Sequence, residues 1–256
     1  MRGFTQLREE VFMFHEDDRP DSATLERIVP DDLQPGEATG EGTLRLHLER
    51  YQFARQNLVR GSLLDIACGV GYGTPLLSES PLITTAVGVD IDDEAVRYAS
   101  QRYGTARVSY ICADAFQFST GQQFDNIVSL ETIEHVEDPR ALFEHLVALL
   151  APGGRLIASV PVTPSVDGNP HHKSNFSDKS FRHLGDTFSL KYVACLRQGQ
   201  RFSPWAVATR QEARTGNLRP DLMGFYLANP SHLFLRLWST LRYGFVNKYL
   251  TVVWEK

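Results

Sequence analysis

A doubly wound α/β fold with a mostly parallel sheet is what this chain predicts, and three observations carry the prediction. Apolar strand-like runs alternate with helix-like segments through the middle of the chain, the pattern that puts crossover helices on both faces of a parallel sheet. The first run, Leu63-Leu64-Asp65-Ile66-Ala67-Cys68, leads straight into Gly69-Val70-Gly71-Tyr72-Gly73-Thr74, a glycine-rich turn that opens a helix. Three acids, Asp65, Asp90 and Asp114, fall at the ends of three separate runs, and the carboxyl edge of an open α/β sheet is where such folds bind ligands.

The elements follow in order. Residues 1–42 combine an apolar start, Val11-Phe12-Met13-Phe14, with an acidic stretch containing Pro and Gly that has no sustained period; they read as an extension or lid ahead of a domain spanning 43–256. Gly42-Thr43 caps a helix with Leu44, Leu48, Tyr51 and Leu58 at helical spacing. Strands are expected from Leu63, over Ala86–Asp90, Val108–Ala115 and Phe124–Leu130, in a fifth run after Pro152-Gly153-Gly154, over Thr187–Arg197, and last over Leu250–Trp254. An insert at 198–248, about fifty residues, is too long for an ordinary loop. Its centre, Pro230 to Gly244, carries Leu233, Leu237 and Leu241 beside Phe234 and Trp238, a helical pattern that suits covering a substrate, pairing two subunits or touching a membrane. Core packing or a homodimer contact is the expectation, because Arg236, Arg242 and Lys248 add only modest basic character.

Composition narrows the function classes. With 256 residues, 42% of them hydrophobic, the chain can bury one sizeable core. A formal charge of −5 gives no general attraction to polyanions, so nucleic acid is disfavoured as a partner. Cys68, Cys112 and Cys195 lack metal-type pairing and read as small apolar groups near strands. There is no signal-peptide pattern and no apolar run long enough to span a membrane, so no stable membrane insertion and a cytoplasmic location are expected.

Gly69, Gly71 and Gly73 remove β-carbons where a ligand would approach the backbone, and the following helix turns unpaired N–H groups toward it. A pyrophosphate-binding turn would need its third glycine at Thr74, and Asp65 adds a negative charge, so a cofactor bearing a cationic ammonium and sulfonium fits better. Asp90 can accept from both hydroxyls of a ribose. Asp114 can accept from an adenine amino group while the Ala115 N–H meets a ring nitrogen. Glu131 ends the fourth strand and points to the same crevice.

These successive motifs resemble class I S-adenosylmethionine-dependent methyltransferases, and the likeness extends over about residues 43 to 197. The resemblance implies a Rossmann-like, seven-stranded sheet with an antiparallel last strand, S-adenosyl-L-methionine as cofactor, and cofactor contacts at Tyr51, Asp65, Ala67, Gly69, Gly71, Tyr72, Asp90, Ile91, Asp114, Ala115 and Glu131. Ala67 stands where many members carry the first motif glycine. His47-Leu48-Glu49-Arg50-Tyr51, Ile133-Glu134-His135-Val136-Glu137-Asp138-Pro139 and Asn169-Pro170-His171-His172 are similar to a bacterial subgroup associated with glycan and cell-surface biosynthesis, although Lys173-Ser174-Asn175 departs from it. The implied partner is a small-molecule or sugar-linked acceptor; an aromatic or quinone-like acceptor, or a non-catalytic cofactor-binding subunit, are the alternatives.

Methyl transfer to a hydroxyl needs a proton acceptor, and His135, just beyond strand four, is the first candidate, with His172 and then His171 on the loop after strand five. Glu131, Glu134 and His135 resemble a metal-assisted arrangement of some quinone-pathway methyltransferases, but no metal is assigned. An Asn-Pro-Pro-aromatic motif, expected for amino-group methylation of adenine or glutamine, is replaced by Ser129-Leu130-Glu131-Thr132.

Overall fold

The computed structural model describes residues 28–30, 33, 38–201, 219 and 221–256. Of the expected extension, residues 28–30, 33 and 38–42 are described, with Ile28 and Val29 buried; of the expected insert, residues 202–218 and 220 lie outside the described residues. The described elements are α1 (Ala38–Gln56), β1 (Gly61–Ile66), α2 (Gly73–Ser78), β2 (Ile83–Asp90), α3 (Asp93–Tyr103), β3 (Val108–Cys112), β4 (Phe124–Leu130), a 3-10 turn (Ile133–His135), α4 (Pro139–Leu149), β5 (Leu150–Pro161), α5 (Asp178–Thr187), β6 (Lys191–Arg201), α6 (Leu222–Ala228), α7 (Pro230–Tyr243) and β7 (Val246–Glu255). One seven-stranded sheet runs in the order β3-β2-β1-β4-β5-β7-β6. The first five strands are parallel, and β7 enters antiparallel between β5 and β6.

The strands are apolar on both faces because both faces are covered. Leu64, Ile127, Leu156 and Trp254 point into one core with Phe143 of α4 and Phe181 of α5. Their neighbours Leu63, Val128, Ile157 and Val253 point the other way, against Tyr51 and Ala54 of α1 and Leu77 of α2. This alternation with a period of two fixes the register, since a one-residue slip would exchange the two cores. Helix starts are set locally. Asp92 accepts from Glu94 N and Ala95 N ahead of α3, Asp138 caps α4 next to Pro139, and Ser177 and Ser180 form a capping box at α5.

Several sequence expectations need correction. α1 begins at Ala38, before the expected Gly42-Thr43 cap. β3 stops at Cys112, so Asp114 lies in the turn beyond the strand. Thr187 ends helix α5, and the sixth strand runs from Lys191 to Arg201, the polar face of an edge strand having blurred its limits. β7 starts at Val246, four residues early. Cys68 is buried as expected, but Cys112 is exposed. The helix read at Pro230–Gly244 is present, yet its apolar stripe does not pack into the core: Phe234, Leu237, Trp238 and Leu241 are all exposed.

Candidate functional site

β1 and β4 lie side by side in parallel, with Leu63 beside Asn126 and Asp65 beside Val128, and here the strand order reverses. The connections leaving these two strands diverge to opposite faces, opening a crevice at the carboxyl edge. The glycine turn follows β1, and Glu131 and the 3-10 turn follow β4.

The turn winds tightly through left-handed backbone at Ala67 (φ 57), Gly69 (φ 58) and Gly71 (φ 81). At Ala67 this conformation costs about 1–2 kcal/mol relative to the ordinary region, strain of a kind that collects at ligand edges. A side chain at Gly69 would enter open space, leaving the backbone there bare for a ligand. Gly71 has a different reason. A β-carbon on it would collide with Ala99 and lie 2.7 Å from Tyr110 Cε1, so packing, not cofactor room, forbids a side chain. A β-carbon on Gly73 would collide with the Tyr51 ring. Gly71→Val is therefore expected to destabilise the ligand-free protein by about 2–4 kcal/mol through overpacking added to left-handed strain, read as a lowered thermal midpoint. A ligand-free variant melting like the wild type would overturn this packing account.

Acids surround the turn. Asp90 anchors it: one carboxylate oxygen accepts from Gly69 N at 2.7 Å and the other from Asp92 N at 3.0 Å. Asp65 is buried, accepts from Thr74 Oγ1 at 2.7 Å, and is pushed up to about 7 by burial; hydrogen bonds from Thr74 and Tyr51 oppose this and the Asp90 charge adds to it. Ile91, directly after Asp90, is 70% exposed, an apolar side chain presented to solvent at the ligand edge. Asp114 accepts from Phe116 N at 2.8 Å and holds the turn containing Ala115. The bare Gly69 backbone, the acids and the exposed Ile91 could hold an adenosyl cofactor carrying positive charge, and the candidates for its amino-acid end, ribose and adenine are Asp65 and Glu131, then Asp90, then Ile91, Asp114 and Ala115.

The raised Asp65 has a pH signature. Because its folded-state pKa lies above the unfolded value of 3.8, the group stabilises the ligand-free fold most below about pH 4, and this contribution is lost as the pH rises to about 7. A cationic ligand favours the ionised carboxylate, so its binding should strengthen over the same interval and release a proton. Calorimetry in buffers of different ionisation enthalpy measures that proton, and Asp65→Asn should abolish its release; identical release in the variant would assign the proton elsewhere.

Tyr51 and Tyr72 sit behind the turn as packing groups. Tyr51 is buried, and its ring meets Tyr72 edge-on at 6.0 Å. The Tyr72 hydroxyl lies 2.7 Å from His47 Nδ1, and burial, helped by the Arg50 charge, lowers His47 to about 3, keeping it neutral. Arg50 is the residue that sequence reasoning passed over. It is buried, donates to Gln198 Oε1, stacks on Tyr249 at 4.5 Å and lies 3.6 Å from the Glu131 carboxylate. The signal was a single arginine on the apolar side of α1, beside Tyr51. Glu131, itself left-handed (φ 53), also accepts from Ser159 Oγ at 2.7 Å.

Across the crevice, Lys173 N and Ser174 N both donate to the Glu134 carbonyl, tying the loop after β5 to the turn after β4. This brings the His135 and His172 rings edge to face at 4.6 Å, with His172 Nδ1 2.7 Å from Ser165 Oγ. His171 faces solvent outside the pair. Glu134, fully buried, joins them: one ligand-type atom from each of Glu134, His135 and His172 lies within 4.8 Å of the others. Glu131 is not in this set, its carboxylate being turned toward Arg50 and Ser159. The departing residues of the loop have structural duties: Lys173 pairs with Glu137 at 3.1 Å, and Asn175 Oδ1 accepts from Ser165 N and Val166 N.

Comparison with known proteins agrees with this geometry. The family described as "Methyltransferase domain" matches residues 64–158, from the first strand through the fifth. An uncharacterized methyltransferase of Mycobacterium tuberculosis is 32% identical over 132 residues, 51% of this chain and 66% of the relative, so the chain spans about two thirds of that protein's length. A ubiquinone biosynthesis O-methyltransferase of Coxiella burnetii is 33% identical over 100 residues, 38% of this chain and 42% of the relative. The crystal structure of the N-methyltransferase NodS from Bradyrhizobium japonicum WM9, in complex with S-adenosyl-L-homocysteine, has the same fold, with a TM-score of 0.56 at 19% identity over 88% of this chain and 89% of that one. Residues 64–158 thus match a methyltransferase domain, and in strand order and glycine turn the chain has the fold of the class I S-adenosylmethionine-dependent methyltransferases.

Proposed function

We propose that this protein binds S-adenosyl-L-methionine and methylates an oxygen of a small-molecule or sugar-linked acceptor. The observation that carries the oxygen assignment is the His135–His172 pair at the carboxyl edge, with ring centroids 4.6 Å apart. The bound cofactor supplies an electrophilic methyl group on a sulfonium. The protein has to align the acceptor with that methyl and take up the proton its hydroxyl loses. His135 accepts this proton, and His172, held through Ser165, orients the ring beside it. Arg50 and Ser159 hold the Glu131 carboxylate in place at the cofactor end.

A sugar-linked acceptor rests on the motif resemblance, while the relative named for ubiquinone biosynthesis favours an aromatic acceptor instead. Incubation with cofactor labelled in the methyl group and a metabolite extract, followed by product analysis, tests the reading. A labelled ether supports it, a labelled amine refutes the oxygen assignment, and cofactor binding without any labelled product favours the non-catalytic alternative. The convergence of Glu134, His135 and His172 supports a second reading, in which these residues hold a divalent ion that acidifies the acceptor hydroxyl. Loss of turnover on chelation, with recovery on adding the ion, would select it over direct proton transfer to His135.

A further inference from the structure

Helix α7 faces the wrong way for a water-exposed helix. Phe234, Leu237, Trp238 and Leu241 recur at i, i+3, i+4 and i+7, the spacing of an apolar stripe that ordinarily packs inward. Here the stripe is turned to solvent, with Leu241 84%, Phe234 68% and Trp238 57% exposed. The side turned to the protein carries polar groups instead: Ser239 is buried, and Arg236 donates to both carboxylate oxygens of buried Asp167 at 2.6 Å. Tyr226 of α6 donates to the same carboxylate at 2.6 Å. Burial alone would raise Asp167, but the Arg236 guanidinium outweighs it and holds the carboxyl below its usual range. The helix pair is thus fastened by its polar side, and α6 extends the outer apolar surface with Leu227, 80% exposed.

Charge identifies what covers this surface. With Arg236 already paired to Asp167, the charges left to the outer surface of residues 222–250 are Arg242 and Lys248, with no Asp or Glu among those residues, in a chain whose net charge is −5; the nearest acid, Asp221, is engaged in capping α6 through Gly224 N. A two-fold dimer would set the patch against its own copy, facing Arg242 and Lys248 with like charges and with no acid within residues 222–250 to answer them. An anionic bilayer answers them, accepting the apolar stripe below its headgroups while Arg242 and Lys248 meet lipid phosphates. Trp238 and Tyr243 are the amphipathic aromatic types that sit at that boundary.

We propose that α6 and α7 form a docking surface for an anionic membrane. On the functional reading above, this places the acceptor site next to the lipid phase, because Asp167, which clamps α7, lies on the same loop as His172. Docking itself does not depend on that reading and is measured without turnover. The full chain is mixed with phosphatidylglycerol-containing vesicles or with phosphatidylcholine vesicles, and co-sedimentation is followed as salt is raised. Binding to the anionic vesicles is expected, weakening with salt, and falling at least about 10-fold in Leu241→Glu and in Trp238→Ser. Both residues are exposed, so the variants should keep the wild-type melting temperature and S-adenosyl-L-homocysteine affinity. Arg242→Glu should weaken anionic binding selectively. Absence of binding to either vesicle overturns the proposal, and so does a wild-type dimer that Leu241→Glu converts to monomer without any vesicle binding. Equal binding to both vesicle types, indifferent to salt, overturns the anionic assignment.

Discussion

His135→Ala should lower turnover about 10²- to 10⁴-fold at saturating cofactor, the usual contribution of a positioned proton acceptor. Cofactor affinity should hardly change, because the 3-10 turn bearing His135 is pinned through the Glu134 carbonyl by Lys173 N and Ser174 N, contacts the substitution does not touch. Single-turnover rates and S-adenosyl-L-homocysteine affinity, measured on the same preparation, separate the two effects. Full activity on the true acceptor would remove His135 from the chemistry and leave His172 as the next residue to replace. A few-fold loss would assign His135 to positioning the acceptor alone.

Asp90→Ala should weaken S-adenosyl-L-homocysteine binding by about 2 to 4 kcal/mol, roughly 30- to 1,000-fold. Two losses combine. The ribose hydroxyls lose a charged acceptor, and Gly69 N and Asp92 N lose the carboxylate that holds the glycine turn in shape. Asp90→Asn keeps one carbonyl oxygen and should fall between wild type and alanine. A folded Asp90→Ala protein that binds as tightly as the wild type would refute the ribose assignment. Thermal stabilisation by S-adenosylmethionine or S-adenosyl-L-homocysteine but not by NAD gives an independent check on cofactor class, since only a ligand of the native state raises the midpoint.

The parallel strands were readable because each is short, apolar and bounded by turn residues or acids; Phe124–Leu130 was read with the limits it has in the structure. Edge elements were less legible. β6 is exposed along much of its length, so no inward–outward alternation marked where α5 ended and the strand began. The place of Arg50 on the apolar side of α1 was the one local sign of its burial; what makes burial of its guanidinium tolerable lies far away in sequence, in Gln198, Tyr249 and Glu131.

By itself the sequence determined the doubly wound sheet, the glycine turn and the strand-end place of Asp90, though not that of Asp114, since these rest on local periodicity and on backbone conformations only particular residues adopt. Tertiary structure alone decided which side chains meet. His172 reaches His135 because two backbone N–H groups after β5 find one carbonyl after β4, and Glu131 turns to Arg50 instead of joining Glu134. The direction of the α7 stripe was likewise settled by an ion pair between Arg236 and Asp167, sixty-nine residues apart. A helical pattern states that one face is apolar; only the contacts made by the opposite face determine whether that stripe is turned toward the core or away from it.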